Sequence, residues 1–210
     1  MDDPTDDAGG EARGDDHEHG DDHEHGDNEE SHGSGHDHGS DHDHHEHDLD
    51  ELGVAVVTVS SSRGVEEDTS GEAITDAVAE AGHAVTTREV ITDSFDGVQH
   101  TVDRLTNRGD TDCVVTTGGT GVTPDDVTIE AVEPLFDKRL PGFGELFRAL
   151  SRDEIGTKVV GTRAAAGIAD GVPVFCLPGS ENAVRLGTEA IIVEEAPHLA
   201  GLARRDESDG

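Results

Sequence analysis

Short apolar runs recur along the chain, and the segments between them carry apolar residues at helical spacing. Continuous apolar runs rich in β-branched residues are typical of strands that are buried on both faces of a sheet. We therefore predict strands at residues 52–59, 84–91, 113–115 and 172–177. Parallel strands need crossover connections, which the helical segments between these runs supply.

The helical segments have recognisable starts and ends. Residues 69–72 read as a capping box, Ile74 and Val78 lie on one face behind it, and Gly82 ends that helix. Strands that alternate with helices predict an α/β fold, a three-layer sandwich with a mostly parallel sheet and helices on both faces. Further helices are predicted from Val98 to near Gly109, from a cap at Thr128 to Val132, at 146–150 after a turn at 140–145, at 182–192, and after Pro197 to Arg205.

The first 50 residues differ in composition from the rest of the chain. They hold 20 of the 49 acidic residues and a single arginine, and Leu49 is their only large aliphatic residue apart from Met1. Because such a segment cannot bury a core, we predict a disordered, acidic, histidine-rich tail over residues 1–50. The remaining residues 51–205 are predicted to form one folded domain.

The tail carries 11 of the 14 histidines, and the hexapeptide Asp-Asp-His-Glu-His-Gly occurs twice, at 15–20 and 21–26. Neutral imidazole beside carboxylates can ligate nickel, zinc, cobalt or copper. The repetitive spacing defines no closed coordination geometry, so labile metal binding and a purely solubilising role are both open. The candidate ligands are His36, His38, His42, His44, His45 and His47.

The formal net charge is −35, of which residues 1–50 contribute −19 and the remainder −16. Such a surface repels nucleic acid and anionic membranes, so we expect neither as a partner. An acidic chain with Lys138 and Lys158 as its only lysines is typical of salt-adapted, haloarchaeal proteins, with an acidic mesophilic surface as the alternative. No apolar segment resembles a signal peptide or a membrane span, so we expect a cytoplasmic protein. Cys113 and Cys176 fall in predicted strands and are expected to be reduced.

Residues 113–126 combine a buried strand, a glycine-rich loop and an acidic pair at the start of a predicted helix. Gly118, Gly119 and Gly121 allow a sharp turn, and consecutive backbone N–H groups form a concavity that binds anions. Pro124 suits the first position of a helix whose positive end would point at the loop. The motif fits neither the Walker A loop nor the dinucleotide fingerprint. An anion site and a ligand-free turn therefore remain as alternatives.

Polar or glycine-rich segments follow each predicted strand, at 60–63, at Asp93, at 117–126 and at 178–180. Ligands of parallel α/β sheets bind beyond the carboxyl ends of the strands, so these segments are expected to converge on one site. From the pattern alone, Asp126 also suits a helix cap with Thr123, and Asp93 a turn after its strand.

Five motifs follow one another along the folded domain. They are Thr-Thr-Gly-Gly-Thr-Gly at 116–121, Asp-Val-Thr at 126–128, Pro-Gly-Phe-Gly-Glu at 141–145, Arg-Ala-Ala-Ala-Gly at 163–167 and Leu-Pro-Gly-Ser at 177–180. In this order they resemble the MoaB/MogA family of molybdenum cofactor biosynthesis, over about residues 52 to 200. Residues 149–156 and the Pro-Gly-Ser ending are more similar to the MoaB branch.

The resemblance implies a molybdopterin adenylyltransferase that assembles as homotrimers or homohexamers. In that reaction ATP and molybdopterin give adenylyl-molybdopterin and pyrophosphate with Mg²⁺, and a MoeA-type molybdenum insertase is a possible recipient of the product. The resemblance assigns the family's two essential carboxylates to Asp93 and Asp126, as Mg²⁺ ligands or activating groups. The implied substrate contacts are Ser60, Thr117, Gly118, Gly119, Thr120, Gly121, Gly142, Gly144, Glu145, Pro178, Gly179 and Ser180.

A non-catalytic relative that binds molybdopterin and carries a metal-binding tail is the alternative function, because some bacterial MoaB proteins are thought to be inactive. Two departures from the family pattern bear on this choice. Asp125 stands where relatives often carry a basic residue, and residues 60–62 lack an acidic residue that some relatives have before the position of Arg63. Neither departure changes Asp93 or Asp126.

Overall fold

The apolar runs form six strands of one sheet in a computed structural model, which describes residues 48–61 and 67–204. In the described residues the spatial order is β2-β1-β3-β6-β5-β4. Strands β2, β1, β3 and β6 are parallel, whereas β5 runs antiparallel to β6 and β4 antiparallel to β5. The strands are β1 Gly53–Val59, β2 Ala84–Ile91, β3 Cys113–Thr117, β4 Lys138–Arg139, β5 Ala165–Ala169 and β6 Val172–Leu177.

The helices connect the strands and cover both faces of the sheet. A π-helical turn, Thr188–Ile192, joins the last two helices, and 3₁₀ turns occupy Glu133–Leu135 and Gly156–Gly161. The α-helices are α1 Thr69–Glu80, α2 Phe95–Thr106, α3 Thr128–Val132, α4 Pro141–Ile155, α5 Glu181–Gly187 and α6 Val193–Ala203.

The core consists of two apolar clusters on opposite faces of the sheet. Alternate residues of β1 divide between them, since Val54 and Val56 belong to one cluster and Ala55 and Val57 to the other. The first cluster is covered by α1, α4, α5 and α6, and the second by α2 and α3. This arrangement confirms the predicted three-layer α/β sandwich and explains why its central strands are apolar throughout.

Two strands, β4 and β5, were not predicted, and β5 is the antiparallel strand of an otherwise parallel sheet. The alanine-rich segment before Gly167 forms β5, and the short β4 pairs with it, although neither has the β-branched content of a typical strand. The close packing expected there is present, because a Cβ on Gly167 would lie 2.3 Å from the Phe136 ring. The tight reversal between β5 and β6 contains Asp170 and Gly171, both with positive φ, and makes β5 antiparallel.

Several helix boundaries also differ from the prediction, and α2 ends at Thr106 and α4 at Ile155 rather than near Gly109 and at residue 150. The N-cap of α1 is Asp68 rather than Thr69. Residues 141–145 are not a turn but the start of α4, because Pro141 occupies the first helical turn, where its missing N–H has no intrahelical partner. Pro197 does not divide the C-terminal helices but lies inside α6, where the buried Ala196 and Ala200 keep the helix packed on the core.

The first described residues pack on the C-terminal helix. Leu49 donates its N–H to the Pro197 carbonyl at 3.4 Å, and Asp48 contacts His198 at 2.8 Å. The tail up to residue 47, with its six candidate histidine ligands, lies outside the described residues, as do Ser62 and Arg63. In the described part of the chain, no helix is long and apolar enough to cross a membrane.

The two cysteines are free thiols, as predicted. Cys113 and Cys176 point into opposite core clusters. Burial raises the pKa of both thiols, so neither ionises near neutral pH.

Candidate functional site

The carboxyl ends of the parallel strands enclose a pocket of about 240 Å³. Segments that follow β1, β2, β3 and β6 all contribute to it, which is the convergence that the sequence predicted. The lining residues are Thr58, Val59, Ser60, Ser61, Asp93, Thr117, Gly118 and Gly179.

The glycine loop needs glycine at its first two positions. Gly118 has a φ of 95° and Gly119 a φ of 63°, which place both in the left-handed region. A Cβ on Gly118 would lie 2.2 Å from the Val59 carbonyl oxygen, and one on Gly119 would lie 2.3 Å from Thr128 Oγ1. The backbone therefore passes the end of β1 at a distance that no side chain allows.

Hydrogen bonds fix this loop from two sides. Thr128 donates its hydroxyl to the Gly118 carbonyl and its N–H to the Gly119 carbonyl, both at 2.9 Å. Gly118 donates its N–H to the Leu177 carbonyl, and Thr117 donates its hydroxyl to the Pro178 carbonyl, both at 3.0 Å. Thr128 was predicted as a helix cap, but it is the first residue of α3 and binds the loop instead.

Asp93 is the charged side chain of this pocket. Its Oδ2 accepts a hydrogen bond from Ser61 Oγ at 2.9 Å. Its Oδ1 is buried and has no hydrogen-bond partner in the described part of the protein. That oxygen faces the glycine loop, since it lies 3.4 Å from where a Cβ on Gly119 would be. A buried carboxylate oxygen without a donor is costly, so it fits a bound cation or a ligand donor.

Asp126 lies on a turn, and no helix begins at Pro124, contrary to the prediction. Its Oδ2 accepts hydrogen bonds from the Thr123 backbone at 2.8 Å and from the Thr123 hydroxyl at 2.6 Å. The side chain thus caps the turn rather than a helix. Hydrogen bonding to Thr123, assisted by the Gly121 backbone and the nearby Arg163, lowers the pKa of Asp126. The side chain is therefore an anion over a wide pH range.

Arg163 contacts the same turn from the segment before β5. Its guanidinium donates to the Thr120 carbonyl at 3.3 Å, to the Asp126 carbonyl at 3.2 Å, and to both Glu130 carboxylate oxygens. Arg163 belongs to one of the five family motifs but was not among the predicted site residues. The sequence feature that could have indicated its role is an arginine at the edge of a glycine- and alanine-rich segment in a strongly acidic chain.

Asp68 is a second residue of this region that was not predicted from the sequence. Its carboxylate is buried and accepts hydrogen bonds from Thr58 Oγ1 at 2.9 Å and from the Gly71 backbone at 2.8 Å, and it pairs with Arg88 at 3.1 Å. Thr58 lines the pocket, and Ser70 at the start of α1 donates its hydroxyl to the Gly179 carbonyl at 3.0 Å. Asp68 therefore fixes the start of α1 against one wall of the pocket.

Pro178 and Ser180, the sequence neighbours of Gly179, line a second, larger cavity of about 520 Å³. Its wall combines apolar side chains with the hydroxyl of Ser151, a residue that is 5% exposed. The Ser151 hydroxyl has no hydrogen-bond partner among the described residues. The two cavities thus share the Pro178–Ser180 segment, and the second has a hydrogen-bonding group available for a ligand.

The remaining predicted contacts lie on α4. Gly144 and Glu145 line a cavity of about 180 Å³ together with Arg148. Gly142 lines an apolar groove with Leu146 and Leu199. Of the predicted contacts, Ser60, Thr117, Gly118 and Gly179 line the Asp93 pocket. The three residues on α4 do not line it, and neither do Gly119, Thr120, Gly121 and Asp126.

The described residues contain no group of three His, Cys, Asp or Glu side chains that could hold a metal ion by themselves. Asp93 alone offers an unpaired carboxylate oxygen in the pocket. A cation bound there would therefore take most of its ligands from a substrate or from water.

Comparison with known proteins identifies the family. A family model described as a probable molybdopterin binding domain matches residues 55–198. The chain is 42% identical over 152 residues to molybdenum cofactor biosynthesis protein B of Bacillus subtilis (strain 168), which covers 72% of this chain and 89% of that protein. It is 43% identical over 158 residues to molybdopterin adenylyltransferase of Pyrococcus furiosus, which covers 73% of this chain and 91% of that protein.

A solved structure has the same fold. The tungsten cofactor synthesizing protein MoaB from Pyrococcus furiosus is 41% identical and superposes with a TM-score of 0.68, which covers 75% of this chain and 99% of that one. The glycine loop and the strand-end pocket both lie within the matched residues 55–198. The chain therefore belongs to the MoaB/MogA family of molybdenum cofactor biosynthesis proteins, and to its MoaB branch.

Proposed function

We propose that this protein is a molybdopterin adenylyltransferase that transfers the adenylyl group of ATP to the phosphate of molybdopterin. The observation that carries the proposal is the buried, unpartnered Oδ1 of Asp93, beside a glycine loop at the carboxyl ends of the parallel strands. The relative from Pyrococcus furiosus that bears this name is 43% identical. Loops at this edge of an α/β sheet are the usual place for nucleotide binding.

The reaction needs positioning and charge neutralisation more than covalent help from the protein. An oxygen of the molybdopterin phosphate attacks the α-phosphorus of ATP and forms the new P–O bond. The bond between the α-phosphorus and the bridging oxygen breaks, and its electron pair leaves with pyrophosphate. The Gly118 N–H is bound to the Leu177 carbonyl, so the Gly119 N–H, in a loop whose carbonyls are held by Thr128, would be the dipole presented to the phosphates.

The two aspartates have different parts in this proposal. Asp93 would bind the cation, because its Oδ1 is available for a ligand. Asp126 would hold the loop, because its Oδ2 already accepts two hydrogen bonds from Thr123. Loss of either carboxylate would reduce turnover, through the cation in one case and through the loop in the other.

Mg²⁺ fits this pocket as a substrate-bound ion. It is usually held by one or two carboxylates together with phosphate oxygens and water. Asp93 supplies such a carboxylate, and the ATP phosphates would supply further oxygens. Bound there, Mg²⁺ would neutralise the charge that develops on the departing pyrophosphate.

The test is transfer of labelled AMP from ATP to purified molybdopterin, in concentrated KCl with Mg²⁺. We expect Asp93→Asn to lower the rate by about a hundredfold or more, because an amide oxygen without charge binds Mg²⁺ poorly. Asp126→Asn should also lower the rate while the protein stays folded. Asp96→Asn is the matched control, since Asp96 is an exposed aspartate in the first turn of α2.

Two results would count against the proposal. Full activity of Asp93→Asn would remove the carboxylate from the mechanism. A folded wild-type protein that binds molybdopterin but forms no adenylyl product would favour the non-catalytic function, and the histidine tail would then be tested for metal binding by itself.

We also infer that the protein works as a homotrimer or homohexamer in a salt-rich cytoplasm, with a MoeA-type insertase as the recipient of its product. An exposed apolar groove between α4 and α6, lined by Leu140, Phe143, Leu146 and Leu199, supports self-association. Burial of that surface against another copy would be favourable. Sedimentation velocity in concentrated KCl measures the assembly, and a monomer at micromolar concentration would contradict it.

A further inference from the structure

Arg163 connects three parts of the chain around the glycine loop. It lies between the 3₁₀ turn Gly156–Gly161 and β5 and is partly buried, with 31% of its side chain exposed. Its guanidinium donates to the carbonyls of Thr120 and Asp126, which are the two ends of the turn that carries Asp126. The remaining donors bind the Glu130 carboxylate on α3.

The turn at 121–126 has few other attachments in the described structure. Internal hydrogen bonds run from Thr123 to the Asp126 carboxylate and from the Asp126 N–H to the Thr123 carbonyl. These bonds fix the shape of the turn but not its position relative to the sheet. The planar guanidinium can bind two carbonyls and a carboxylate together, which an ammonium group cannot do with the same geometry.

The negative charges around the turn also favour its contact with the Arg163 guanidinium. Asp125, Asp126 and Glu130 are three carboxylates within six residues, and polyanionic substrates would approach the same edge. Among the described residues, no lysine or arginine other than Arg163 has a hydrogen bond to residues 118–130. Four of its five N–H donors bind protein groups, so its main contacts are with the loop and α3.

We propose that Arg163 is a positioning residue that docks the Thr120–Asp126 loop onto α3 and so holds this loop in place beside the glycine backbone of the site. Glu130 orients the guanidinium for this role. The catalytic part of the proposal rests on the adenylyl transfer proposed above. The structural part, docking of the loop, does not depend on that activity.

The variants separate charge from geometry. Arg163→Lys keeps the charge but loses the planar fork, Arg163→Gln loses both, and Glu130→Gln weakens the group that orients the guanidinium. Arg185→Gln is the matched control, because Arg185 is an arginine on α5 that pairs with Glu181 at 3.1 Å, away from the loop. All four variants are made in the full chain and compared with wild type in concentrated KCl.

Kinetics distinguish positioning from substrate contact. Misplacement of a loop by about 1 Å can lower turnover by about a hundredfold. We expect kcat to fall about a hundredfold in Arg163→Gln and about tenfold in Arg163→Lys and Glu130→Gln, with KM for ATP changed less than about threefold. A rise in KM with an unchanged kcat would overturn the proposal, because Arg163 would then contact the nucleotide.

Hydrogen–deuterium exchange tests the docking without any assay of activity. In Arg163→Gln, peptides that span residues 118–128 should exchange about tenfold faster, while those from β1 and β3 keep their protection. Unchanged exchange of this loop, or an equal increase throughout the protein, would overturn the proposal. If the wild-type protein has no transferase activity and Arg163→Gln still shows faster exchange of this loop alone, the proposed function is refuted and the docking role stands.

Discussion

Thr123 and Asp126 form a close side-chain pair at the candidate site. Thr123→Ala removes the hydroxyl donor 2.6 Å from Asp126 Oδ2 and leaves the backbone donor at 2.8 Å. Because hydrogen bonding to Thr123 is the main cause of the lowered pKa of Asp126, we expect that pKa to rise in the variant. Carbon-13 NMR titration of the carboxylate without Mg²⁺ measures it, with Thr75→Ala, a hydroxyl bound to the Gly71 carbonyl, as control.

The sign of the effect on stability follows from the direction of the shift. A carboxylate with a lowered pKa in the folded state adds stability above its unfolded pKa, and this stability is lost as pH falls through the folded pKa. Thr123→Ala should therefore be less stable than wild type by about 1 kcal/mol at neutral pH. The difference should shrink below about pH 4, near the unfolded pKa of aspartate. A difference that stays constant in acid would contradict this account.

Residues whose role depends on local backbone shape were accessible from the sequence, and residues whose role depends on distant partners were not. The glycine run predicts a sharp turn, because glycine readily adopts the positive φ found at Gly118 and Gly119. Arg163, in contrast, binds Thr120 across 43 positions of sequence. Asp68 likewise meets Arg88 across 20 positions. A sequence pattern contains no signal for such pairs until the fold is known.

At the scale of elements, the caps of α1 and α2 differ in what their side chains bind. Asp68 caps α1 and also neutralises Arg88, whose side chain is 25% exposed, whereas Ser94 caps α2 at an exposed position. Asp68→Asn keeps an acceptor for the cap but leaves Arg88 without its charge partner. We expect a loss of about 2–4 kcal/mol.

The matched comparison is Ser94→Ala, which removes only a cap and should cost about 1 kcal/mol. Urea denaturation at constant KCl concentration measures both free energies of unfolding. Equal losses in the two variants would mean that the buried Asp68–Arg88 pair adds nothing beyond the cap.

Strands with a continuous apolar run were predicted accurately. Elements formed by small or polar residues were predicted poorly. The predicted bounds of β2 and β6 agree with the structure, and β1 starts one residue later than predicted. The antiparallel β5 was missed, because a run of alanine and glycine has no strand signature. The helix expected from Pro124 does not form, because the Asp126 carboxylate binds Thr123 and closes a turn there instead.

The whole molecule is dominated by negative charge, with −35 distributed as −19 over residues 1–50 and −16 over the rest. Repulsion of this size opposes a compact state. Added salt shortens the Debye length from about 10 Å at 0.1 M to about 3 Å at 1 M. We therefore expect the urea midpoint of unfolding to rise with KCl concentration over this range.

Sucrose at equal osmolality is the control, because it is excluded from the protein surface but screens no charge. If the urea midpoint rises equally in sucrose, the effect of KCl comes from solute exclusion from the protein surface rather than from screening of charge repulsion. A midpoint that falls with KCl would exclude salt adaptation.

The antiparallel turn of β5 has a consequence for how the protein is made. It brings Arg163 to the same edge as the glycine loop, while the Leu177 carbonyl that accepts the Gly118 N–H follows on β6. Chains leave the ribosome from the N-terminus at about 5–20 residues per second. Strands β1 to β3 and the glycine loop therefore emerge before the residues that hold the loop. The loop therefore acquires its contacts with Arg163 and Leu177 only after both residues have been synthesised.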